Sequence, residues 1–375
     1  MKDILFKELT CLTPDGIEKG VNLLIKDDKF EKVQLILDES EYNIVSGEDY
    51  IAVPLFPLFK SDIFDIISYK YLNEIDKNFK MDKEKFEKLP FDFLEKSSEI
   101  AAKKMVDSGS GFLFYSHLSY QMVKNSLLTI STNLYKKFKL KSSLSYFKNS
   151  YFPEQKILSE KENEEFKSYC ENSNDDYRYY HKSAIIDEEF NDDEIESINH
   201  YYIKKGFLSK IEPLISKSDS SNIFIIQFED FEEMKNFTPK FNTFIAVDED
   251  LFLNKNYADF VFNAVDEDID HSFILFTGYG VYNIFNSLGN IYKNSSDIRS
   301  IEFIKNQMKI LSKMPEFFTA TKTGIIAEEY FANMMLIKRE GFPIEDMDQF
   351  IDFLIIFYFE NSLPSKVYVR GKEIR

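Results

Sequence analysis

Few side chains in this sequence can bind a metal ion or move protons near neutral pH. The four histidines are His117, His181, His200 and His271. Lys60 and Asp62 lie one residue apart at the end of an apolar run, so on an extended strand their side chains point to the same side. Neutral imidazole and carboxylate groups supply lone pairs to metals, whereas a protonated lysine has none to give. Four histidines are just enough for a four-histidine metal site.

Each histidine also has an ordinary structural interpretation. We predict that His200, in a charged stretch of helical pattern, and His271, in a turn after the acidic residues 266–268, are solvated polar residues. His181 and His117 are predicted to be hydrogen-bonded histidines without a ligand role. Any catalytic role for a histidine competes with these interpretations.

Other short motifs point to structure more than to chemistry. Residues 277–280, Thr-Gly-Tyr-Gly, are typical of a strand-to-helix turn, although such a turn could also bind a small anion. The acidic run 187–194 lacks the spacing and the glycine of a calcium-binding loop. Cys11 and Cys170 make neither a disulfide framework nor a thiolate metal site. The sequence contains no P-loop and no nucleophile elbow.

The chain is acidic, and its charge argues against some classes of partner. Its 375 residues carry 46 Lys and Arg against 64 Asp and Glu, a formal charge of −18 with a sequence pI near 4.8. Nucleic acids and anionic membranes attract clustered Lys and Arg, so we expect neither as a partner. Residues 1–16 do not resemble a signal peptide, and the apolar run 350–359 is too short to span a bilayer. We therefore expect a cytoplasmic protein.

Apolar strand-like runs alternate with helical patterns in the middle of the chain. The strand-like runs are 51–58, 111–115, 223–227, 241–247 and 273–277, and the helical patterns are 63–72, 122–138, 228–237 and 282–292. This alternation predicts parallel strands joined by crossover helices. An open doubly wound sheet and a closed barrel both fit it. No glycine-rich phosphate motif follows the early strands, which weakens a dinucleotide-binding interpretation.

The two ends of the chain are rich in strand patterns. Residues 21–26 and 30–37 read as a strand and its return strand, and 366–370 alternate cleanly between apolar and polar residues. We predict that both ends build one small sheet domain. The acidic segment 154–196 is predicted to be a long solvated connection with helical pieces.

Residues 12–16, Leu-Thr-Pro-Asp-Gly, and residues 24–30 form a characteristic N-terminal hairpin pattern. This pattern resembles the opening of cytosine-deaminase-type amidohydrolases and chlorohydrolases. In that family the hairpin leads to an apolar strand, a Pro-Gly turn and a His-x-His pair. The equivalent stretch here keeps Pro54, but Leu55 stands at the glycine position, and Lys60 and Asp62 stand at the two histidine positions.

The rest of the chain resembles the same superfamily in short pieces that keep their order. Residues 108–130 are similar to the second barrel strand and helix of aminohydrolases associated with selenium-dependent purine metabolism, and His117 falls where that subgroup has a histidine. Residues 162–166 resemble another piece of that subgroup. Residues 330–334 and 367–372 resemble the segment that returns to the small domain and its closing strand. The resemblance covers most of the chain.

The resemblance implies a metal site whose ligands are largely replaced. The superfamily holds a divalent metal at the barrel mouth with the His-x-His pair, two later histidines and an aspartate, and the metal activates a water. By resemblance the two later histidines correspond to His181 and Gln227, and the aspartate corresponds to Gly278. Only Asp62 and His181 keep a donor, fewer than the three protein ligands typical of catalytic zinc. We hypothesise that the Lys60 ammonium fills the volume of the metal, paired with Asp62 and hydrogen-bonded to Gln227.

We therefore predict an α/β fold with a (β/α)8 TIM-like barrel over residues 54–317. A small composite β-sandwich domain would comprise residues 1–53 and 318–375. The leading prediction is a non-catalytic protein without a cofactor. Its former metal pocket would bind a small molecule or a protein, or support an oligomer with itself or a paralogue, a homodimer being the default. The alternative is a zinc- or iron-dependent hydrolase or deaminase that acts on C–N bonds of a small cyclic or purine-like substrate through Asp62, His181 and His117.

Overall fold

The computed structural model describes two sheets and the helices around them. The described residues are 3–37, 42–60, 91–118, 123–148, 164–165, 167–168, 177–191, 195–238, 242–266, 272–277, 284–295, 299–319, 322–359 and 364–375. Within these ranges, no helix has both the length and the apolar character needed to cross a bilayer.

The first sheet is built from both ends of the chain. Its strands are β1 (Ile4–Thr13), β2 (Gly16–Lys26), β3 (Lys29–Gln34), β4 (Asn43–Ser46), β5 (Tyr50–Pro54), β15 (Met334–Lys338), β16 (Lys366–Val369) and β17 (Lys372–Glu373). The order is β17-β16-β15-β5-β1-β2-β3, with β4 paired to β1. β15 pairs antiparallel with β5, so the C-terminal strands extend a sheet begun by the N-terminal ones. The prediction that both ends contribute to one sheet is confirmed.

The hairpin between β1 and β2 follows from the residues of its turn. Gly16 has φ +118°, a backbone conformation that glycine adopts without steric cost. Thr13 pairs with Gly16, and its hydroxyl donates to the Glu18 carboxylate over 2.7 Å. The predicted strand and return strand that follow are also present, as β2 paired antiparallel with β3.

The second sheet is parallel and forms the middle of the chain. Its strands are β6 (Phe56–Lys60), β7 (Ser110–Leu118), β8 (Lys141–Lys148), β9 (Arg178–Tyr180), β10 (Lys182–Ile186), β11 (Ile198–Ile203), β12 (Ile223–Phe228), β13 (Thr243–Asp248) and β14 (Ser272–Phe276). The order is β14-β13-β12-β11-β10-β8-β7-β6, with β9 paired to β8. All carboxyl ends of these strands therefore lie along one edge.

Helices separate most of the parallel strands, as the alternation in the sequence predicts. They are α1 (Phe91–Asp107), α2 (Val123–Phe138), α3 (Leu208–Lys217), α4 (Phe231–Asn236), α5 (Lys255–Asp266), α6 (Ile284–Ser295), α7 (Arg299–Thr319) and α8 (Met347–Phe359). A short 3-10 helix, Glu249–Leu253, precedes α5. The mixed α/β class is confirmed, while the helical pattern at 63–72 lies outside the described residues.

Two strands of the parallel sheet lie where the sequence predicts other structure. β10 falls inside the segment 154–196, predicted to be solvated, and every one of its residues is buried. β11 contains His200, which was placed in a helical stretch. Both predictions are wrong, because buried polar residues such as Ser183 and Asn199 interrupt the apolar runs by which buried strands are recognised.

Helix α7 is tied to the outer strand of the parallel sheet by one glutamine. Gln307 is fully buried, its Oε1 accepts from Leu275 N over 2.9 Å, and its Nε2 donates to Phe273 O over 2.8 Å. The side-chain amide thus bonds to two backbone groups of β14. Beyond β14, Thr277 N donates to Phe59 O of β6 over 3.1 Å.

Candidate functional site

The candidate site lies at the carboxyl ends of β12 and β13. Gln227 is almost fully buried near the end of β12, and Asp248 is the half-buried last residue of β13. Gln227 Nε2 donates to Asp248 Oδ2 over 2.9 Å. Substrates of parallel α/β sheets and barrels bind at this edge, so the pair is positioned to face a ligand.

A line of buried polar side chains leads from this pair across the face of the parallel sheet. We call it the polar chain, and its members are Ser143, His181, Ser116, His200, Gln227 and Asp248. His181 lies between two hydroxyls, with Ser143 Oγ 2.8 Å from Nδ1 and Ser116 Oγ 2.8 Å from Nε2. Ser116 Oγ is also 2.7 Å from His200 Nδ1. Gln227 follows His200 along this line and donates to Asp248, so polar side chains extend from Ser143 to Asp248.

Aromatic rings enclose the two imidazoles. Phe114 stacks on His181 with ring centroids 4.0 Å apart, and Phe276 lies 5.3 Å from the His200 ring. Both histidines have no exposed surface. Phe59 packs between Phe114 and Phe276, so rings from β6, β7 and β14 meet beneath the site.

Burial determines the charge state of both imidazoles. It lowers the pKa of His181 well below its usual value, and the neighbouring His200 lowers that pKa further. Burial lowers the pKa of His200 to about 3, against a smaller raising effect of the Gln227 hydrogen bond. Both rings are therefore neutral at neutral pH, and each carries one N–H and one acceptor nitrogen.

The structure describes the side chains of two of the positions assigned to the former metal site. His181 and Gln227 are brought together, but through Ser116 and His200 rather than by direct contact. His181 is the hydrogen-bonded histidine that the sequence predicts. His200 is fully buried, so the prediction that it is a solvated residue is wrong.

The two histidines lie on different sides of β10, and His200 is on the strand next to Gln227. β12, which carries Gln227, pairs with β11, which carries His200, whereas His181 precedes β10. His200 is thus the histidine on the strand beside Gln227, and the sequence reasoning gave it no role.

The other assigned positions cannot be compared with this geometry. Lys60 ends β6 and His117 lies on β7, but their side chains are outside the described part of the structure. Asp62 and Gly278 also lie outside the described residues. The hypothesis that Lys60 hydrogen-bonds to Gln227 therefore stays a prediction.

The described side chains do not fit a metal ion. Among them no group of three or more His, Cys, Asp or Glu is arranged to hold one. Both ring nitrogens of His181 and Nδ1 of His200 lie against serine hydroxyls, so these three nitrogens are not arranged to bind an ion.

Residues that sequence reasoning missed complete the site. Ser116, Ser143 and Asp248 were not singled out, because a serine in a strand or an acid after one is common. One available signal was the spacing of Phe114 and Ser116, which places a polar residue on a buried face of β7. Whether such a buried serine belongs to a site depends on its hydrogen-bond partners, which come from other strands.

No protein family and no curated protein matches the sequence. Solved structures match along its whole length. A guanine deaminase from C. acetobutylicum with guanine bound in its active site is 15% identical, with a TM-score of 0.70, over 100% of both chains. A mutant atrazine chlorohydrolase from Arthrobacter aurescens, complexed with zinc and atraton, is 12% identical over 99% of this chain and 95% of that one, with a TM-score of 0.71. Helicobacter pylori aminofutalosine deaminase, complexed with methylthio-coformycin, is 12% identical over 100% of both chains, with a TM-score of 0.64.

These neighbours contradict two predictions made from the sequence. The neighbours are named as deaminases and hydrolases, and nothing among them points to a non-catalytic role. The prediction of a protein without a cofactor is contradicted because the chlorohydrolase is complexed with zinc. Both predictions counted only donors at matched positions, and so they overlooked groups such as Asp248 that other strands place at the same edge.

The degree of similarity sets what the match establishes. At 11–15% identity, a likeness of structure establishes the fold and leaves the reaction to be argued from the site. The resemblance first seen in short sequence pieces holds along the whole chain. The protein therefore has the fold of the amidohydrolase superfamily, whose members its structural neighbours are.

Proposed function

We propose that the protein is a hydrolase or deaminase that cleaves a carbon–nitrogen bond of a small cyclic, purine-like substrate through an altered site. The observation that carries this proposal is the full-length match, over 100% of both chains, to a guanine deaminase with guanine bound. The chlorohydrolase binds a triazine compound, which is also a flat ring rich in nitrogen, and this supports the proposed class of substrate. This step rests on the fold together with the polar groups at its substrate-binding edge.

Asp248 is the group that we assign to proton transfer. It lies half-buried at the carboxyl end of β13, where a carboxylate can accept a proton as water attacks a ring carbon. Gln227 holds one of its oxygens through the 2.9 Å hydrogen bond. A carboxylate accepts several hydrogen bonds, so the same group can also receive a substrate N–H.

We propose further that the parallel sheet closes into a barrel. Support comes from the junction of its two outer strands, where Thr277 N donates to Phe59 O over 3.1 Å. The Phe59 and Phe276 rings also lie 5.8 Å apart. Two backbone groups of β14 near this junction, Leu275 N and Phe273 O, bond to the Gln307 side chain.

The domain limits and the oligomer stay proposals of the same kind. Residues 1–53 with 318–375 would form the composite domain, and 54–317 the barrel. Light scattering of the purified protein tests the homodimer. A monomer at all concentrations would contradict it.

The proposed activity is tested by ammonia release from guanine, adenine, cytosine and amino-triazines. The purified protein is supplemented with zinc or iron, and its metal content is measured. We expect release from at least one ring compound, and a loss on the order of 100-fold in Asp248→Asn. The control is Asp346→Asn, which changes an exposed carboxylate that caps Gln349 N over 2.9 Å. No release from any compound by folded, metal-supplemented protein would refute the proposal.

A further inference from the structure

Asp248 occupies a position at which an aspartate ordinarily caps a helix. It directly precedes the 3-10 helix Glu249–Leu253, its backbone is extended (φ −84°, ψ 135°), and its side chain makes no capping hydrogen bond to that helix. Aspartates at such positions usually accept from backbone N–H groups of the first turn. The Asp248 carboxylate is turned instead towards Gln227, whose Nε2 donates to it over 2.9 Å.

Asp230 shows the ordinary arrangement beside the neighbouring strand. It lies just beyond the carboxyl end of β12, as Asp248 lies at that of β13, and it directly precedes α4. Its Oδ1 accepts from Glu232 N over 3.0 Å and from Glu233 N over 3.2 Å. Of these two aspartates in matching places, only Asp248 leaves its helix uncapped by a side chain. A local preference that is not followed in this way is expected at functional positions.

The residue after Asp248 is anchored to a different helix. The Glu249 carboxylate accepts from Ser287 Oγ and, over 2.7 Å, from Asn290 Nδ2. Ser287 and Asn290 are three positions apart on α6, so they lie on one face of that helix, and Ser287 is fully buried. An ionised carboxylate only accepts, so both hydrogen bonds run from α6 to Glu249.

A second contact holds the same 3-10 helix in the core. Phe252 is buried, and its ring centroid lies 5.3 Å from that of Phe303 on α7 and 5.5 Å from that of Tyr257 on α5. Glu249, the first residue of the 3-10 helix, and Phe252, near its end, thus contact three different helices. These contacts determine the direction in which the chain leaves β13, and with it the backbone of Asp248.

We propose that Glu249 is a positioning residue that keeps the Asp248 carboxylate off its own helix and at the carboxyl edge of the parallel sheet. Without the contact of Glu249 with α6, the first turn rotates until Asp248 caps it, as Asp230 caps α4, and the hydrogen bond from Gln227 is lost. The part that Asp248 plays in turnover rests on the proposed function. The placement of its carboxylate does not, because it is measured without a substrate.

An exchange of an amide and a carboxylate tests the contact of Glu249 with α6. Asn290→Asp alone sets a carboxylate against Glu249 and should break the contact. In the double variant Glu249→Gln with Asn290→Asp, the new amide can donate to the new carboxylate while its oxygen still accepts from Ser287, and the total charge is unchanged. The matched control is Gln34→Glu, which sets a carboxylate against Glu328, 3.2 Å from Gln34 Nε2 in the first sheet.

The side-chain amide of Gln227 reports the position of Asp248. Proton–nitrogen NMR of isotope-labelled protein detects this NH2 group, and Gln227→Leu assigns its signals by their disappearance. We expect Asn290→Asp to shift these signals and to speed their exchange with water, and the double variant to restore them. Gln34→Glu should leave them unchanged. Unchanged Gln227 signals in folded Asn290→Asp, or no recovery in the double variant, would overturn the proposal. If Asn290→Asp does not fold, Asn290→Ala, which removes the donor without adding a charge, replaces it with Gln34→Ala as control.

Turnover supplies a second measurement that a merely structural role would not change. With a ring compound that releases ammonia, Asn290→Asp should lower kcat on the order of tenfold with little change in KM, and the double variant should recover kcat. Shifted Gln227 signals in a protein that releases no ammonia would refute the proposed activity and leave the positioning of Asp248 standing. Ammonia release with a kcat and Gln227 signals that do not respond to Asn290→Asp would refute the positioning and leave the activity standing.

Discussion

His200 makes the free energy of unfolding of the protein depend on pH. Its pKa is lowered by burial to about 3, so between this value and an ordinary value near 6.5 the unfolded chain binds a proton that the folded protein excludes. The unfolded state holds more protons in this window, so stability rises with pH. The contribution of the neutral His200 ring to the free energy of unfolding is complete above pH 6.5 and declines as the pH falls. The lowered pKa of His181 acts in the same direction.

We expect the free energy of unfolding attributable to His200 to fall by about 2 kcal/mol between pH 6.5 and pH 5, at roughly 1.4 kcal/mol per pH unit. Urea unfolding of the protein and of His200→Gln at several pH values measures this slope. The variant should lose that part of the slope, whereas Ser131→Ala, also a buried polar change, should keep it. Equal slopes in the protein and in His200→Gln would contradict the prediction.

Sequence reasoning at this scale succeeded where local chemistry decides and failed where partners come from distant strands. His181 was predicted to be an ordinary hydrogen-bonded histidine, and it is one. His200 has charged and polar neighbours in sequence, which favoured a solvated residue. Its burial depends on Ser116 and Gln227, which are 84 and 27 positions away along the chain. No local sequence pattern indicates partners that lie so far away along the chain.

At the scale of elements, Gln307 bonds to the backbone of β14 in the way a neighbouring strand would. Both of its amide groups bond to backbone groups of Phe273 and Leu275 in a fully buried position. Gln307→Leu keeps similar volume but leaves a buried N–H and a buried carbonyl without partners, each at a cost of about 1–3 kcal/mol. We therefore expect a loss of about 2–4 kcal/mol in the free energy of unfolding, measured by urea denaturation.

The matched control for that change is Gln349→Leu. Gln349 is exposed, and its side-chain oxygen accepts from Glu345 N over 2.8 Å. Surface substitutions of this kind usually change stability by less than about 0.5 kcal/mol. Equal effects of the two variants would show that the Gln307 amide does not support β14.

The elements that could be predicted are those whose buried residues form a simple pattern in the sequence. β12 and β14 are mostly apolar runs, and β2 and β3 lie on either side of a turn, so all four were found. β10 and β11 were missed because their buried face carries hydroxyl, amide and imidazole groups. A polar buried face is permissible only when other strands satisfy it, and that condition belongs to the assembled sheet.

The whole molecule joins its two sheets through one hydrophobic core. Val53 of β5 and Val367 of β16 belong to the same buried cluster as Ile225 and Phe276 of the parallel sheet. The consecutive strands β5 and β6 are separated only by Leu55, whose N–H donates to Asn333 O over 3.1 Å. A core shared in this way makes it costly for either sheet to unfold alone.

Val53→Ala tests this coupling from the side of the first sheet. Val53 is fully buried in the shared cluster, so the lost methyl groups should lower the free energy of global unfolding by about 1–3 kcal/mol. Hydrogen exchange should show the same decrease for the slowest amides of β12 and β13 as for those of β1 and β5, because all open in one event. Val45→Ala is the control, since Val45 packs only at the edge of the separate cluster of the first sheet. A decrease confined to β1 and β5 in Val53→Ala would mean that the sheets unfold independently, and that the candidate site does not depend on the composite sheet for its stability.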